Sequence, residues 1–148
     1  MKKKFDGFLT ATSRVDIQFQ DIDLTGDVWH GHYFRFLEIA RVALLESIDY
    51  SYDQMLSSGY MWPIVDSRIR YRKPFRLGQT ISITACLSEW ELRLVVDYRL
   101  DDENGQTCTR ARTVQVPVKA STMELQLGCP NILIEKVEAA MLGNALAE

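Results

Sequence analysis

Three aspartates and two histidines are packed into the twelve residues DIDLTGDVWHGH (21–32), directly ahead of a long apolar run. Side chains of these types at this spacing can do three kinds of work. The first is calcium binding. Asp21, Asp23, Thr25, Gly26 and Val28 occupy the first, third, fifth, sixth and eighth positions of an EF-hand loop. The twelfth is His32 instead of a bidentate Glu, and a strand pattern precedes the loop where a helix should stand, which argues against the ion. His30 and His32 likewise lack further ligands at any recognised transition-metal spacing, so no metal site is expected. The second is helix capping, worth ~1 kcal/mol. Asp27, or Asp21 with Asp23, could cap the helix that follows, but capping does not explain why His30, Gly31 and His32 crowd the same place. The third is acyl transfer. A helix N-terminus offers N–H donors and partial positive charge that polarise a carbonyl. A nearby carboxylate can attack that carbonyl or activate a water. Gly31 leaves the backbone open to close approach by a ligand.

The flanking patterns indicate what holds this loop. Residues 9–20 alternate, with Leu9, Ala11, Val15, Ile17 and Phe19 on one face and Thr10, Thr12, Arg14, Asp16 and Gln18 on the other, as in a half-buried strand. Residues 33–48 contain no Gly or Pro. Phe34, Leu37, Leu44, Leu45 and Ile48 recur there at helical spacing, and Phe36, Ile39, Ala40 and Ala43 widen the stripe. That predicts a helix about 24 Å long, buried over most of its circumference. Residues 52–58 predict a short helix stopped by Gly59. Strands are predicted at 62–71, 81–87, 92–100 and 107–119, with a turn at 74–78 and a hairpin at DDENG (101–105). Residues 131–142 predict a C-terminal helix with Asn131 as its cap. The order is strand, long helix, four strands. It implies an α+β hotdog arrangement, a curved antiparallel five-stranded sheet wrapped round one long central helix.

Length and composition bound the rest. A chain of 148 residues is read as a single domain (1–148), with a core at about 8–122 and an extension at about 123–148. Apolar residues at 47% and charged residues at 25% are the mix of a soluble globular protein. No stretch has the length of a membrane span. Lys2, Lys3 and Lys4 resemble the start of a signal peptide, but Phe5-Asp6-Gly7 interrupts any apolar continuation. Cys86, Cys108 and Cys129 are odd in number and have no metal spacing, so they read as thiols of a reducing cytoplasm. A net charge of −3 argues against nucleic acid as a partner.

The stretch DIDLTGDVWHGHYFRFLEIAR (21–41) also resembles the active-site segment of the 4-hydroxybenzoyl-CoA thioesterase-like hotdog family. That pattern runs D-x-D-x-x-G-x-V-x-(H/Y)-x-x-Y and then E-x-x-R. Asp21, Asp23, Gly26, Val28, His30, Tyr33, Glu38 and Arg41 fill every fixed position. IRYRKPFRLGQTISI (69–83) is similar to the family's second signature. The resemblance covers about residues 10–120, and the tail after about 125 stands outside it. It implies hydrolysis of a thioester carried by coenzyme A or an acyl carrier protein, with Asp23 as catalytic carboxylate. His30 and Gly31 would bring backbone N–H groups to the carbonyl. It implies no cofactor beyond the coenzyme A or phosphopantetheine of the substrate. Asp27 departs from the pattern, and its charge would alter substrate choice or raise the pKa of Asp23.

Arg68, Arg70, Arg72, Lys73 and Arg76 form a basic run, and the first three share a strand face. They are either a solvated surface or, Arg70 and Arg72 above all, a hold on substrate phosphates or an acidic carrier. Glu38, i,i+3 to Arg41, is the reserve catalytic carboxylate. Trp29, Tyr33 and Trp62 are the candidates for contact with the acyl group. Competing classes are a hydroxyacyl-thioester dehydratase, an acyl-thioester-binding domain without catalysis, and a dimerisation module. Val95, Val114, Val116 and Val118 would stand in water on the sheet's outer face, so a homodimer or homotetramer is expected.

Overall fold

The computed structural model describes Phe5 and residues 9–147; the lysines at 2–4 lie outside these. β1 (Thr10–Asp16) is followed by single 3-10 turns at Phe19–Asp21 and His30–His32, then by α1 (Tyr33–Ser47) and α2 (Tyr52–Ser57). Next come β2 (Tyr60–Met61), β3 (Ile64–Tyr71), β4 (Thr80–Glu89), β5 (Leu94–Asp101), β6 (Thr107–Gln115), β7 (Val118–Lys119) and β8 (Glu124–Leu125). α3 (Asn131–Ala147) closes the chain. The main sheet is antiparallel in the order β1-β4-β5-β6-β3. α1 lies across β1 and β4. This is the hotdog arrangement.

α1 buries Tyr33, Phe36, Leu37, Ala40, Arg41, Leu44 and Leu45, a run of i, i+3, i+4 positions that forms one stripe. Ile81, Ile83, Ala85 and Leu87 of β4 and Leu94, Val96, Tyr98 and Leu100 of β5 complete the same core. Phe34 is exposed, because it sits one step of the helix away from that stripe. α3 adds Leu133 and Val137 to the core, and Lys136 Nζ reaches Asp49 just beyond α1 at 2.7 Å. Asn131 is the first residue of α3, not its cap; Pro130 precedes it, and its carbonyl accepts from the Leu133 N–H.

Several expected strands are shorter than the sequence suggests. β1 ends at Asp16, and Phe19 is 77% exposed, because Gln18 N–H donates to the Asp21 carboxylate and turns the chain out of the sheet. β3 begins after Pro63, and β6 ends before Pro117. A proline has no N–H for the ladder, so β7 leaves to join β2 and β8 in a separate three-stranded sheet. Leu92 lies outside β5 and is exposed.

The expected apolar outer face is also corrected. Val95 and Val114 sit opposite one another in register and are only 1% and 4% exposed. The arginines of that face, Arg93 and Arg112, share a groove with Val114, and long side-chain stems can cover apolar surface. Exposed apolar side chains instead lie along edge strand β3, at Ile64 and Val65. All three cysteines are buried thiols; burial pushes the Cys129 thiol up to about 12. Among the described residues no helix is long and apolar enough to cross a membrane.

Leu44 is fully buried, so Leu44→Ala is expected to cost about 2–5 kcal/mol in urea unfolding. Phe34→Ala is expected to stay within about 0.5 kcal/mol.

Candidate functional site

The loop between β1 and α1 is a small hairpin. Ile22 and Val28 form an antiparallel bridge, and Asp23 N–H donates to Asp27 O at 2.8 Å. Gly26 closes the turn at φ +85°, a conformation that glycine adopts without steric cost, and its N–H donates to Asp23 O at 3.1 Å. Val28 N–H donates to Phe75 O at 2.8 Å, so the hairpin is sewn to the segment between β3 and β4.

The three aspartates take three different jobs. Asp21 is fully buried and accepts from Arg35 Nη2 at 2.7 Å and Gln18 N–H at 2.8 Å, with His32 Nε2 3.7 Å away. Asp27 pairs with Arg76 Nη1 at 3.0 Å. Asp23 is exposed; its Oδ1 accepts from the Thr25 hydroxyl at 2.5 Å and the Thr25 N–H at 2.8 Å. Oδ2 has no hydrogen-bond partner among the described residues. These Thr25 bonds come first among the causes that hold the Asp23 carboxyl below the usual carboxylate range. The sequence left open whether Asp27 raises the Asp23 pKa. The net shift of Asp23 is downward, the backbone of Asp27 contributing to the lowering, and the Asp27 carboxylate is paired with Arg76. The carboxylates therefore do not converge, and among the described residues no three His, Cys, Asp or Glu are placed to hold a metal ion.

His30–His32 forms the helix start. His32 N–H donates to Trp29 O and Tyr33 N–H to His30 O. The N–H groups of His30 and Gly31 find no acceptor among the described residues, as befits the orphan donors of a helix N-terminus. Gly31 has a use that its sequence context did not reveal. A Cβ there would lie 2.5 Å from the Trp29 ring, so Gly31 makes room for that indole, which packs 5.3 Å from the His30 ring and 5.6 Å from the His32 ring. The side-chain direction of Gly31 is thus taken by Trp29.

A shallow cleft of about 240 Å³ gathers Asp23, Asp27, His30, Tyr33, Tyr71 and Arg72. Tyr71 donates to His30 O at 3.2 Å and meets the Tyr33 ring edge-on at 4.8 Å. Burial pushes both phenols up. Tyr71 was not singled out from the sequence, and Thr25 figured there only as the fifth position of the calcium-loop pattern, although it stands two residues after an aspartate, the spacing of a local side-chain turn. Glu38 and Trp62 lie elsewhere, in a second cavity of about 340 Å³ with Arg41, Tyr52, Met55 and Gln115. Glu38 there accepts from Arg41 Nη2 at 3.2 Å and from Tyr52 Oη at 3.1 Å. Arg70 is in neither place; it lines a groove on the far face of the sheet.

Residues 17–139 match the family described as the thioesterase-like superfamily. The chain belongs to that superfamily. It is a thioester hydrolase of hotdog fold. The match runs on into α3 as far as residue 139. YneP of Bacillus subtilis (strain 168), provisionally named an acyl-CoA thioesterase, is 25% identical over 109 residues, 73% of this chain and 79% of its own. Slr0204, a 1,4-dihydroxy-2-naphthoyl-CoA thioesterase from Synechocystis, has the same fold at TM-score 0.76 and 20% identity, over 90% of this chain and 96% of that one. SAV2348 from Staphylococcus aureus, solved in complex with CoA, superposes at TM-score 0.78 and 14% identity, over 88% and 82% of the two chains.

In this thioesterase the Thr25 hydroxyl favours the charged form of Asp23, because its hydrogen bond is stronger to the ionised carboxylate than to the neutral acid. Thr25→Val removes that donor and is expected to raise the Asp23 pKa, so that less carboxylate is ionised at a given acidic pH. Thr25→Ser is expected to keep it low. Carboxyl ¹³C titration by NMR reads both, and an unmoved Asp23 in Thr25→Val would refute the assignment.

Proposed function

We propose that the protein hydrolyses acyl thioesters of coenzyme A or of an acyl carrier protein at the Asp23 cleft. One observation carries this reading: an exposed, ionised carboxylate with one uncommitted oxygen shares a cleft with His30 at a helix start whose first N–H groups are unpaired. The thioester carbonyl oxygen takes the His30 and Gly31 N–H groups, where a developing negative charge is stabilised. Asp23 then either attacks the carbonyl carbon or takes a proton from the water that does. Collapse of the tetrahedral adduct breaks the C–S bond. In the general-base arm the proton that Asp23 took from water passes to the leaving thiolate; in the nucleophilic arm water then cleaves the Asp23–acyl anhydride, which frees the acid, restores the carboxylate and supplies the proton for the thiolate. Arg72 lines the same cleft, which supports a role in meeting a carrier phosphate. The acyl group is assigned to the cavity with Trp62, Met55, Leu56 and Met61. Tyr33 lines the cleft and Glu38 the cavity, a step of about 7.5 Å along α1. The name of YneP supports the coenzyme A arm. The buried thiols suit a reducing cytoplasm.

The test is thiol release from a panel of acyl-CoA and acyl-carrier thioesters. Asp23→Asn keeps the shape and removes the charge, so kcat is expected to fall at least ~10²-fold with little change in Tm. Asp21→Asn keeps Asp23 but strips Arg35 of its buried partner, so it should lower Tm more and kcat less. Near-normal turnover by Asp23→Asn would end this mechanism, and no thiol release from any member of the panel would end the function.

The working unit proposed is a dimer or a dimer of dimers, joined where edge strand β3 leaves backbone groups and Ile64 and Val65 unpaired. Specific activity should fall on dilution together with sedimenting mass. An active monomer at nanomolar concentration would overturn the dimer as the working unit.

A further inference from the structure

The sheet face turned away from α1 holds a groove of about 370 Å³. Its charged walls are Asp66, Arg68 and Arg70 of β3, Arg110 and Arg112 of β6, and Arg93 just before β5. The register sets like against like. Arg68 stands opposite Arg112, Arg70 opposite Arg110, and Arg110 in turn opposite Arg99 of β5. Like charges directly opposite one another across a ladder destabilise a sheet. The chain as a whole carries a net charge of −3, so this concentration of positive charge is not a matter of composition.

Neighbouring carboxylates answer only part of it. Asp97 accepts two bonds from Arg112, at 2.8 and 3.0 Å. Glu89 takes Arg93 at 3.3 Å and Asp101 takes Arg99 at 2.9 Å. Arg68, Arg70 and Arg110 have no carboxylate within ion-pair distance among the described residues. Phe5 lies 5.1 Å from the Arg99 guanidinium and 5.8 Å from that of Arg110. Its ring holds the two side chains in place without supplying a negative charge.

We propose that this groove binds a phosphate-bearing ligand of nucleotide size through Arg68, Arg70 and Arg110. Guanidinium forks match phosphate oxygens two at a time, and an anion between the rows removes the repulsion that the register imposes. The volume exceeds what one phosphate needs, and Val114 gives the groove an apolar stretch. The ligand has two possible sources, the nucleotide end of the substrate's coenzyme A, which rests on the function proposed above, or a free nucleotide, which does not. The groove is distinct from the Asp23 cleft. Arg70 and Tyr71 are adjacent in β3 and point to opposite faces of the sheet, and Tyr71 lines the cleft.

The probe is adenosine 3′,5′-bisphosphate, with adenosine as the control, measured by calorimetry and thermal shift at low salt. The wild type is expected to bind the bisphosphate, to gain Tm from it and to ignore adenosine. Arg68→Gln with Arg70→Gln should weaken binding at least ~10-fold, since each lost fork to a charged group is a strong contact. The same double variant without ligand should melt at or above the wild-type temperature, because two like-charge pairs are gone. Competition with substrate in the thiol-release assay would assign the ligand to coenzyme A, and binding without competition would assign it to a free nucleotide. No binding, or equal binding by the double variant, would overturn the site. So would a change in sedimenting mass of the variant with no nucleotide bound by the wild type, which would make this face a protein interface. Binding is read without turnover, so a protein that binds the bisphosphate but releases no thiol would sink the proposed function and leave this site standing.

Discussion

Asp21 buries its whole carboxylate between the Arg35 guanidinium and the Gln18 N–H, and its backbone oxygen accepts the Trp29 N–H at 2.9 Å. Three segments meet there: the end of β1, the hairpin that carries Asp23, and the first turns of α1. A buried carboxylate is tolerated only while its partners stay in place. The chain must therefore leave the sheet at Gln18, return at Trp29 and enter the helix with Arg35 facing back. Displacing any one of the three would strand the charge. The position of the helix start relative to the hairpin follows from this requirement.

Asp23, two residues on, is the same side chain under the opposite regime. Its carboxylate is in water, and its restraint is local, a hydroxyl and an amide from Thr25 on one oxygen. The backbone of the hairpin is held from outside by Phe75, and Arg76 clamps it through Asp27, with Nη2 close enough to Gly26 that a Cβ there would meet it at 3.1 Å. The result is a rigid frame that carries one free carboxylate oxygen. A buried partner for Asp23 would have fixed it more firmly, but would have taken the lone pairs that chemistry at a carbonyl needs.

Much of this was legible in the sequence, and the reason is periodicity. Residues 33–48 and the alternating runs of β4 and β5 carry repeats long enough to define a helix and its sheet. Asp23, His30 and Tyr33 sit in one cleft because they belong to one short segment. What was not legible depends on contacts between distant residues. Phe19 alternates correctly and still lies outside the sheet, since a hydrogen bond to Asp21 ends the strand first. Residues 107–119 alternate throughout, yet Pro117 divides them between two sheets. Gly31 looked like clearance for a ligand, and only the fold places Trp29 across it. The partner of Asp27 is 49 positions away in the chain, beyond the reach of local pattern. Val95 and Val114 face each other across the ladder and are buried, but a sequence does not record what packs over such a pair.

Arg41 explains how the second cavity keeps its shape. It stands within the apolar stripe of α1, where a leucine would satisfy the pattern, and its guanidinium is almost wholly buried. Nε donates to Tyr52 Oη at 3.1 Å, Nη1 to Tyr98 Oη at 3.3 Å and Nη2 to Glu38 at 3.2 Å. Tyr98 in turn shares a 2.7 Å hydrogen bond with Thr113. One side chain thus ties the central helix to α2, β5 and β6, and α2 and β6 line the cavity. Apolar packing alone would leave those elements free to close over an empty space, whereas directional bonds to a buried cation fix their separation. Burial opposes the Arg41 charge, yet the phenols of Tyr98 and Tyr52 hold the guanidinium above its ordinary pKa. Among the described residues, Trp62 Nε1 and Gln115 Oε1 in the same wall have no hydrogen-bond partner, so theirs is the polar burial that the network leaves uncompensated.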